Sequence, residues 1–206
     1  MKWLRLFIFP LCLVTALLTR AAGPPAEKTL VVLGDSLTEG YGVSKESAYP
    51  ALLEKKIKSS AHTWKVVNSG VSGSTTASAL SRVKWVLKSK PDLLIIGLGA
   101  NDALRGLKVS ESQKNLAIAI EYVQSQKVRV VLAGLYSPPN YGEKYAKEFR
   151  TMYQDLAQKY KLTLIPFLLE GVGGQSGLNL ADGIHPNEKG HEVIADHVYK
   201  AIKDLL

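Results

Sequence analysis

The sequence predicts an α/β protein, with a three-layer α/β/α domain built around a central five-stranded parallel sheet. Two observations lead to this prediction. Five short aliphatic runs alternate with longer segments whose apolar residues recur at helical intervals. The aliphatic runs are also nearly unbroken, which is typical of parallel strands that are buried on both faces.

The five predicted strands are short and rich in Val, Leu and Ile. The first reads Leu-Val-Val-Leu, and the third comes shortly after Pro91. In open α/β sheets, ligands bind beyond the carboxyl ends of the strands, so the segments after these strands are the places to search for chemistry. The predicted strands are 30–33, 64–67, 93–96, 128–133 and 162–165.

The segments between the strands have the periodicity of amphipathic helices. Pro50 lies in the first turn of the first helix, where proline is tolerated. Ile194, Val198 and Ile202 recur every four residues in the last helix and therefore share one face. The predicted helices are 50–58, 75–87, 112–126, 144–160 and 186–205.

Residues 1–26 have the pattern of a secretory signal peptide. Two basic residues lie in the first five positions, an apolar run spans 6–18, and small residues follow it. The run is shorter than the roughly 20 apolar residues that a membrane-spanning helix needs. An uncleaved anchor and a buried N-terminal helix are the alternatives. We therefore expect a periplasmic or secreted protein with one domain over 27–206.

Composition and charge exclude several kinds of site. The formal charge is +8, of which +5 remains for 27–206, and the lysines are spread without a dense block. We expect solvated helix faces, no nucleic-acid partner and a weak contact with a membrane surface at most.

The single cysteine, Cys12, lies in the apolar run, so the processed protein lacks disulfides and cysteine-based sites. His62, His191 and His197 have no metal-site spacing, and we expect neither a metal nor a cofactor.

Ser36 is the candidate nucleophile, because it directly follows the first predicted strand in Gly34-Asp35-Ser36-Leu37. A serine hydroxyl can attack a carbonyl if a base takes its proton, and a helix that begins there supplies N–H groups beside it. Asp182 lies three residues before His185, so it can hold the imidazole tautomer and leave the other nitrogen free as a base. A capping serine and a turn with a solvent-facing histidine are the alternatives.

Two other strand ends carry groups that could stabilise an oxyanion. Gly70 follows the second strand, and glycine lets a backbone N–H approach a ligand closely, although a plain turn is the simpler explanation of that segment alone. Asn101 follows the third strand, and its side-chain amide can either donate to an oxyanion or cap a helix.

Together, these four segments resemble the SGNH, or GDSL, family of hydrolases, in order and over nearly all of 27–206. The resemblance implies the flavodoxin-like SGNH hydrolase fold. It also implies that Ser36 is the nucleophile, His185 the base and Asp182 the residue that orients this base. The implied oxyanion hole consists of the N–H groups of Ser36 and Gly70 and the side chain of Asn101.

The segments 101–106, 139–142 and 182–187 are similar to a bacterial periplasmic subgroup of this family. That subgroup contains acyl-CoA thioesterase/lysophospholipase enzymes and arylesterases. Ala100 stands where glycine is expected in the nearest members, so the surroundings of Asn101 differ slightly from theirs.

The resemblance predicts a secreted, monomeric serine hydrolase that cleaves ester or thioester bonds of small acyl substrates through an acyl-enzyme. Arylesterase, acyl-CoA thioesterase and lysophospholipase activities all fit this prediction. A carbohydrate O-deacetylase, a peptidase and a non-catalytic flavodoxin-like binding module are the alternatives. A binding module has no reason to carry both the serine and the Asp-x-x-His pair.

Overall fold

The computed structural model describes residues 27–60 and 62–206, and these residues are built around a five-stranded sheet. The strands lie in the flavodoxin-like order β2-β1-β3-β4-β5, and each neighbouring pair is parallel. The predicted fold class is therefore confirmed. The strands are β1 (Lys28–Gly34), β2 (Trp64–Gly70), β3 (Leu93–Gly97), β4 (Arg129–Ala133) and β5 (Thr163–Ile165).

Two groups of helices pack together around the sheet. Helix α2 packs against α7, and α5 packs against both α3 and α6. Two short helices, α1 and α4, follow β1 and β3 directly. The α-helices of the described residues are α1 (Ser36–Glu39), α2 (Tyr49–Ser59), α3 (Ala79–Val86), α4 (Ala100–Leu104), α5 (Val109–Ser125), α6 (Gly142–Tyr160) and α7 (Glu188–Ile202).

Two helices begin later than their periodicity predicts. Residues 76–78 form a turn of 3-10 helix, so α3 starts only at Ala79. Helix α7 starts at Glu188 because the side chain of Asn187 caps it, accepting the N–H of Gly190 at 3.1 Å.

The central strands are buried on both faces, which explains their unbroken aliphatic sequence. All residues from Leu30 to Leu33 and from Leu93 to Ile96 are buried. Ile194, Val198 and Ile202 of α7 are also fully buried, on the face that their spacing predicts.

His191 of α7 has a structural role. It is fully buried, and its Nδ1 accepts the N–H of Tyr49, at the start of α2, at 3.2 Å. Burial, with a smaller effect of the nearby His185, lowers the pKa of His191 from 6.5 to about 4. The neutral imidazole thus holds α7 against α2.

The register of the sheet brings three loops together at one edge. Gly34 pairs with both Gly70 and Gly97, so β1, β2 and β3 end at the same level. A Cβ atom at Gly70 would lie 2.1 Å from the backbone nitrogen of Glu39, so glycine is needed for α1 to lie directly against β2. Ser36, the first residue of α1, is therefore held at this carboxyl edge.

The predicted signal peptide, 1–26, lies outside the described residues. Within 27–60 and 62–206, no helix is both long enough and apolar enough to span a membrane.

Candidate active site

Asp35, rather than Ser36, caps helix α1. Its Oδ1 accepts the N–H of Leu37 at 3.0 Å, so the hydroxyl of Ser36 is not used for capping. Asp35 is fully buried, and its Oδ2 has no hydrogen-bond partner among the described residues. Burial raises the pKa of this carboxyl from 3.8 to about 6.

Ser36, His185 and Asp182 form a continuous chain of hydrogen bonds. His185 Nε2 lies 2.9 Å from Ser36 Oγ, and His185 Nδ1 lies 2.7 Å from Asp182 Oδ2. The His185 side chain is only 17% exposed, so it does not face solvent as a simple turn residue would. The structure thus brings together the three residues that the sequence analysis selects as a triad.

Asp182 is fixed by the loop that carries it. Its Oδ1 accepts the N–H groups of Ile184 and His185, both at 3.0 Å. The bonds from the His185 backbone and side chain, and then that from Ile184, lower the pKa of Asp182 from 3.8 to about 2. Asp182 is therefore ionised at neutral pH and can orient the imidazole of His185.

Ser36 and Asn101 line the same cavity, as an oxyanion hole requires. The N–H of Ser36 has no acceptor among the described residues. Asn101 Nδ2 donates one hydrogen to the carbonyl of Ser74 at 3.1 Å, which orients the amide and leaves its second hydrogen available. Gly99 holds the N-cap position of α4, so Asn101 is not the helix cap.

The structure uses Gly70 differently from the sequence-based expectation that its N–H is an oxyanion donor. Its N–H donates to Asn68 Oδ1 at 2.9 Å, and the absence of a side chain serves the close packing of α1. The N–H of Gly73, by contrast, has no acceptor among the described residues. Gly73 directly precedes Ser74, whose carbonyl accepts from Asn101. These contacts argue for Gly73, and against Gly70, as the second backbone donor.

Arg82 of α3 joins the ends of β1 and β2 beneath the site. Its Nη1 donates to the carbonyl of Gly34 at 2.7 Å, and its Nη2 donates to the carbonyl of Ser69. The two strand ends precede Ser36 and Gly73 respectively. Sequence reasoning missed this role, because a lysine or arginine in a helix is usually a solvated surface residue.

Asp102 joins helix α4 to the segment after β2. Its Oδ1 accepts from the hydroxyls of Thr76 at 2.6 Å and Ser112 at 2.9 Å, and its Oδ2 accepts the N–H of Thr76 at 2.9 Å. Asp102 is only 2% exposed, so these bonds satisfy a buried carboxylate. The network fixes the position of its neighbour Asn101.

A largely apolar cavity of about 500 Å³ opens beside the triad. Ser36, Asn101 and His185 line it together with apolar side chains from four loops. The rings of Tyr136 and Phe167 stack in this lining, with centroids 3.9 Å apart and planes inclined by 2°. Other apolar lining residues are Leu37, Leu104, Leu135, Pro138, Pro139, Leu169 and Ile184.

The arrangement suits acyl transfer. A serine in contact with a base, donors for an oxyanion and an apolar cavity are the parts that this chemistry needs. Among residues 27–60 and 62–206, no cluster of three His, Cys, Asp or Glu side chains could hold a metal ion.

Residues 32–193 match the model of the GDSL-like lipase/acylhydrolase family. The chain is 39% identical to the esterase TesA of Pseudomonas aeruginosa, over 95% of this chain and 96% of that protein. It is 35% identical to thioesterase 1/protease 1/lysophospholipase L1 of Escherichia coli, over 96% of this chain and 92% of that protein. It is 36% identical to an arylesterase of Vibrio mimicus, over 86% of this chain and 90% of that protein.

The likeness extends to a solved structure. The crystal structure of TesA superposes with a TM-score of 0.84 at 38% sequence identity, covering 87% of this chain and 100% of that one.

Proposed function

This chain belongs to the GDSL-like lipase/acylhydrolase family and is a hydrolase of ester bonds, and from that premise we propose that it works through an acyl-enzyme on Ser36. The proposed substrates are carboxylic esters and acyl thioesters. The observation that carries the proposal is the unbroken chain of contacts, 2.9 Å and 2.7 Å long, from Ser36 through His185 to Asp182.

Acylation begins at the hydroxyl of Ser36. His185 Nε2 accepts its proton while Ser36 Oγ forms a bond to the carbonyl carbon of the substrate. Asp182 stays ionised, accepts the Nδ1–H of His185 and stabilises the imidazolium that results. The imidazolium then gives its proton to the departing alcohol or thiol as the bond from that group to the acyl carbon breaks.

Deacylation uses the same groups with water in place of the serine hydroxyl. His185 takes a proton from water, and the water oxygen bonds to the acyl carbon. The carboxylic acid leaves as the Ser36 oxygen recovers the proton from His185. The two halves together consume one water and regenerate the free serine.

The oxyanion that forms in each half needs hydrogen-bond donors. We assign this role to the N–H groups of Ser36 and Gly73 and to the amide of Asn101. The carbonyl oxygen becomes negative only on the way to the tetrahedral intermediate, so these donors bind the transition state better than the substrate. Gly73 replaces Gly70 in this assignment because the Gly70 N–H is already donated to Asn68.

The cavity is suited to bind the acyl group of the substrate. Its lining is mainly apolar, and its few polar groups include Ser36 and His185. An acyl chain can lie against Leu169 and Phe167 while its carbonyl carbon reaches Ser36, since burying apolar surface stabilises the complex.

We propose that the enzyme acts in the periplasm or outside the cell, because residues 1–26 have the pattern of an export signal. N-terminal sequencing of protein from an exporting host should find a first residue between Ala22 and Glu27. Recovery of chains that begin at Met1, in the membrane fraction, would instead support an uncleaved anchor.

Ser36→Ala tests the proposed function. It should lower kcat for a p-nitrophenyl acyl ester by a factor on the order of 10⁴ or more, because removing a triad residue leaves only binding and oxyanion stabilisation. Ser110→Ala, an exposed serine at the start of α5, is the matched control and should keep full activity. A folded Ser36→Ala protein with ordinary turnover would refute the proposal.

A further inference from the structure

Three lysines adopt a backbone conformation that lysine seldom takes. Lys90, Lys127 and Lys161 have φ values of 51°, 61° and 53°, and they are the only non-glycine residues with positive φ in the described part of the chain. The non-glycine residues enriched in this region are Asn, Asp and His. Three lysines at these positions therefore call for a reason other than backbone geometry.

All three lysines lie at the amino edge of the sheet, opposite the edge that carries Ser36. They follow helical segments and come two or three residues before β3, β4 and β5. Cations are favoured at helix C-termini, which accounts for one charge at each of these positions. It does not account for Lys28 and Arg129, which begin β1 and β4 at the same edge.

These five residues form an exposed group that we call the amino-edge cluster. Among the described residues, none of the five makes a salt bridge. The carboxylate of Asp92 lies at this edge and accepts the N–H of Thr29 at 2.8 Å, and Arg129 Nη1 donates to the carbonyl of Leu205 at 2.7 Å. The cluster therefore has an excess of positive charge, with Asp92 as the acidic residue that lines its groove. It consists of Lys28, Lys90, Lys127, Arg129 and Lys161.

The cluster surrounds two adjoining grooves. One, of about 710 Å³, is lined by Lys28, Lys90, Lys127 and Arg129. The other, of about 460 Å³, is lined by Lys127, Arg129 and Lys161, so the two grooves share two of the cations. The surface can thus receive more than one anionic group at a time.

The ring of Trp64 helps to hold two of the cations in place. Lys28 Nζ lies 5.2 Å and Arg129 Cζ lies 5.9 Å from its centre. Trp64 is only 2% exposed, so these are contacts at the surface of a buried aromatic side chain. Two of the five charges are therefore held in place by contacts with the fold.

We infer that the amino-edge cluster docks this protein on an anionic phospholipid surface, through contacts with lipid phosphates. Residues 27–206 carry a net charge of +5, the sign that such a surface attracts. Because Ser36 lies at the opposite edge, docking leaves the active site facing the aqueous compartment.

Vesicle sedimentation tests this inference. The exported protein carrying Ser36→Ala, which spares the lipid from hydrolysis, is mixed at low salt with vesicles of phosphatidylcholine alone or of phosphatidylcholine and phosphatidylglycerol. Binding should require phosphatidylglycerol and should weaken as salt is added. Adding Lys90→Asn, Lys127→Asn and Lys161→Asn should weaken it by a factor on the order of 100, from about fivefold per lysine. Asparagine tolerates positive φ, so these changes remove charge with little strain.

The matched control removes the same net charge elsewhere. It carries Lys114→Gln, Lys144→Gln and Lys147→Gln, at exposed positions of α5 and α6, and should bind nearly as well as the parent. With Ser36 restored, both triple variants should hydrolyse a soluble ester at the wild-type rate, which shows that they fold.

Three outcomes would overturn the inference. The first is equal binding to vesicles with and without phosphatidylglycerol, or binding to neither. The second is an equal loss in the two triple variants, which would make net charge, and not this cluster, responsible. The third is binding to duplex DNA but not to vesicles at the same salt, which would identify another polyanion as the partner. If the cluster triple variant does not fold, each single variant should bind vesicles about fivefold more weakly. Unchanged binding in the single variants would also overturn the inference.

Discussion

At the scale of single residues, Asn101 is the proposed oxyanion donor whose contribution can be measured most cleanly. Asn101→Ala should lower kcat by about 10²–10³ and change KM little, because the amide binds the charged transition state better than the substrate. The backbone donors remain, so residual activity should persist. Steady-state kinetics on a p-nitrophenyl ester gives both constants.

A structural role for Asn101 predicts a different result. Its bond to the carbonyl of Ser74 also ties α4 to the preceding loop, and losing that bond alone should cost about 0.5–1.5 kcal/mol of stability. Thermal unfolding of the same preparations separates the two roles. A lower melting temperature with unchanged kcat would show that Asn101 only supports the loop.

His191 makes the stability of the fold depend on pH. Its pKa is lowered from 6.5 to about 4, so between these values the unfolded chain holds a proton that the folded chain does not. The free energy of unfolding should therefore fall as the pH drops through this window, by up to about 1.4 kcal/mol per pH unit. Above about pH 6.5 the contribution is fully present and constant.

Comparison with His191→Gln isolates this effect. Glutamine can still accept the N–H of Tyr49 but does not titrate. The pKa of Asp35 is raised from 3.8 to about 6, so its contribution to the free energy of unfolding is lost as the pH rises, the opposite of the His191 effect. Both proteins contain Asp35, so its contribution is common to them. Urea unfolding at several pH values should show that the wild type loses more stability on acidification than the variant. Equal slopes for the two proteins would contradict the assignment.

The proposed triad could be predicted from the sequence, but the residues that position it could not. Ser36, Asp182 and His185 have distinctive positions after strands and before a helix. Gly70 ends β2 and Gly73 lies three residues later, and only the structure shows that the Gly70 N–H is already bonded to Asn68. Arg82 is equally inconspicuous in sequence, because its two carbonyl acceptors are 48 and 13 residues away along the chain.

At the scale of elements, the strands and long helices follow from periodicity, whereas α1 and α4 do not. These helices have four and five residues, too few to show a helical repeat. They nevertheless place Ser36 and Asn101. Their formation depends on contacts between elements, such as the packing of α1 against Gly70, which local sequence does not reveal.

The segments after β4 and β5 should determine acyl-chain preference, since they supply Tyr136 and Phe167 to one part of the cavity lining. Phe167→Ala enlarges the cavity and removes the ring that supports Tyr136. We expect kcat/KM for short acyl esters to fall by about tenfold, and the preference to move toward longer chains. A series of p-nitrophenyl esters of increasing chain length measures this change.

Trp85→Ala is the control for that series, because Trp85 is 68% exposed on α3 and does not line the cavity. It should leave the chain-length profile unchanged. An unchanged profile for Phe167→Ala as well would mean that the acyl chain binds elsewhere.

At the scale of the whole molecule, the sheet separates two chemistries. Its carboxyl edge carries the proposed triad and oxyanion donors, and its amino edge carries the five cations of the amino-edge cluster. The position of the active site was predictable because ligand sites of open α/β sheets lie at the carboxyl edge. The amino-edge cluster was not predictable, because its residues are scattered from position 28 to position 161 and come together only when the strands align.

The central claim, a covalent acyl-enzyme on Ser36, is tested most directly by mass spectrometry after reaction with a fluorophosphonate. Intact wild-type protein should gain one phosphonyl group as activity is lost, peptide mapping should place that group on Ser36, and Ser36→Ala should gain none. Modification at another residue in step with inactivation, or full activity in protein already modified at Ser36, would contradict the account.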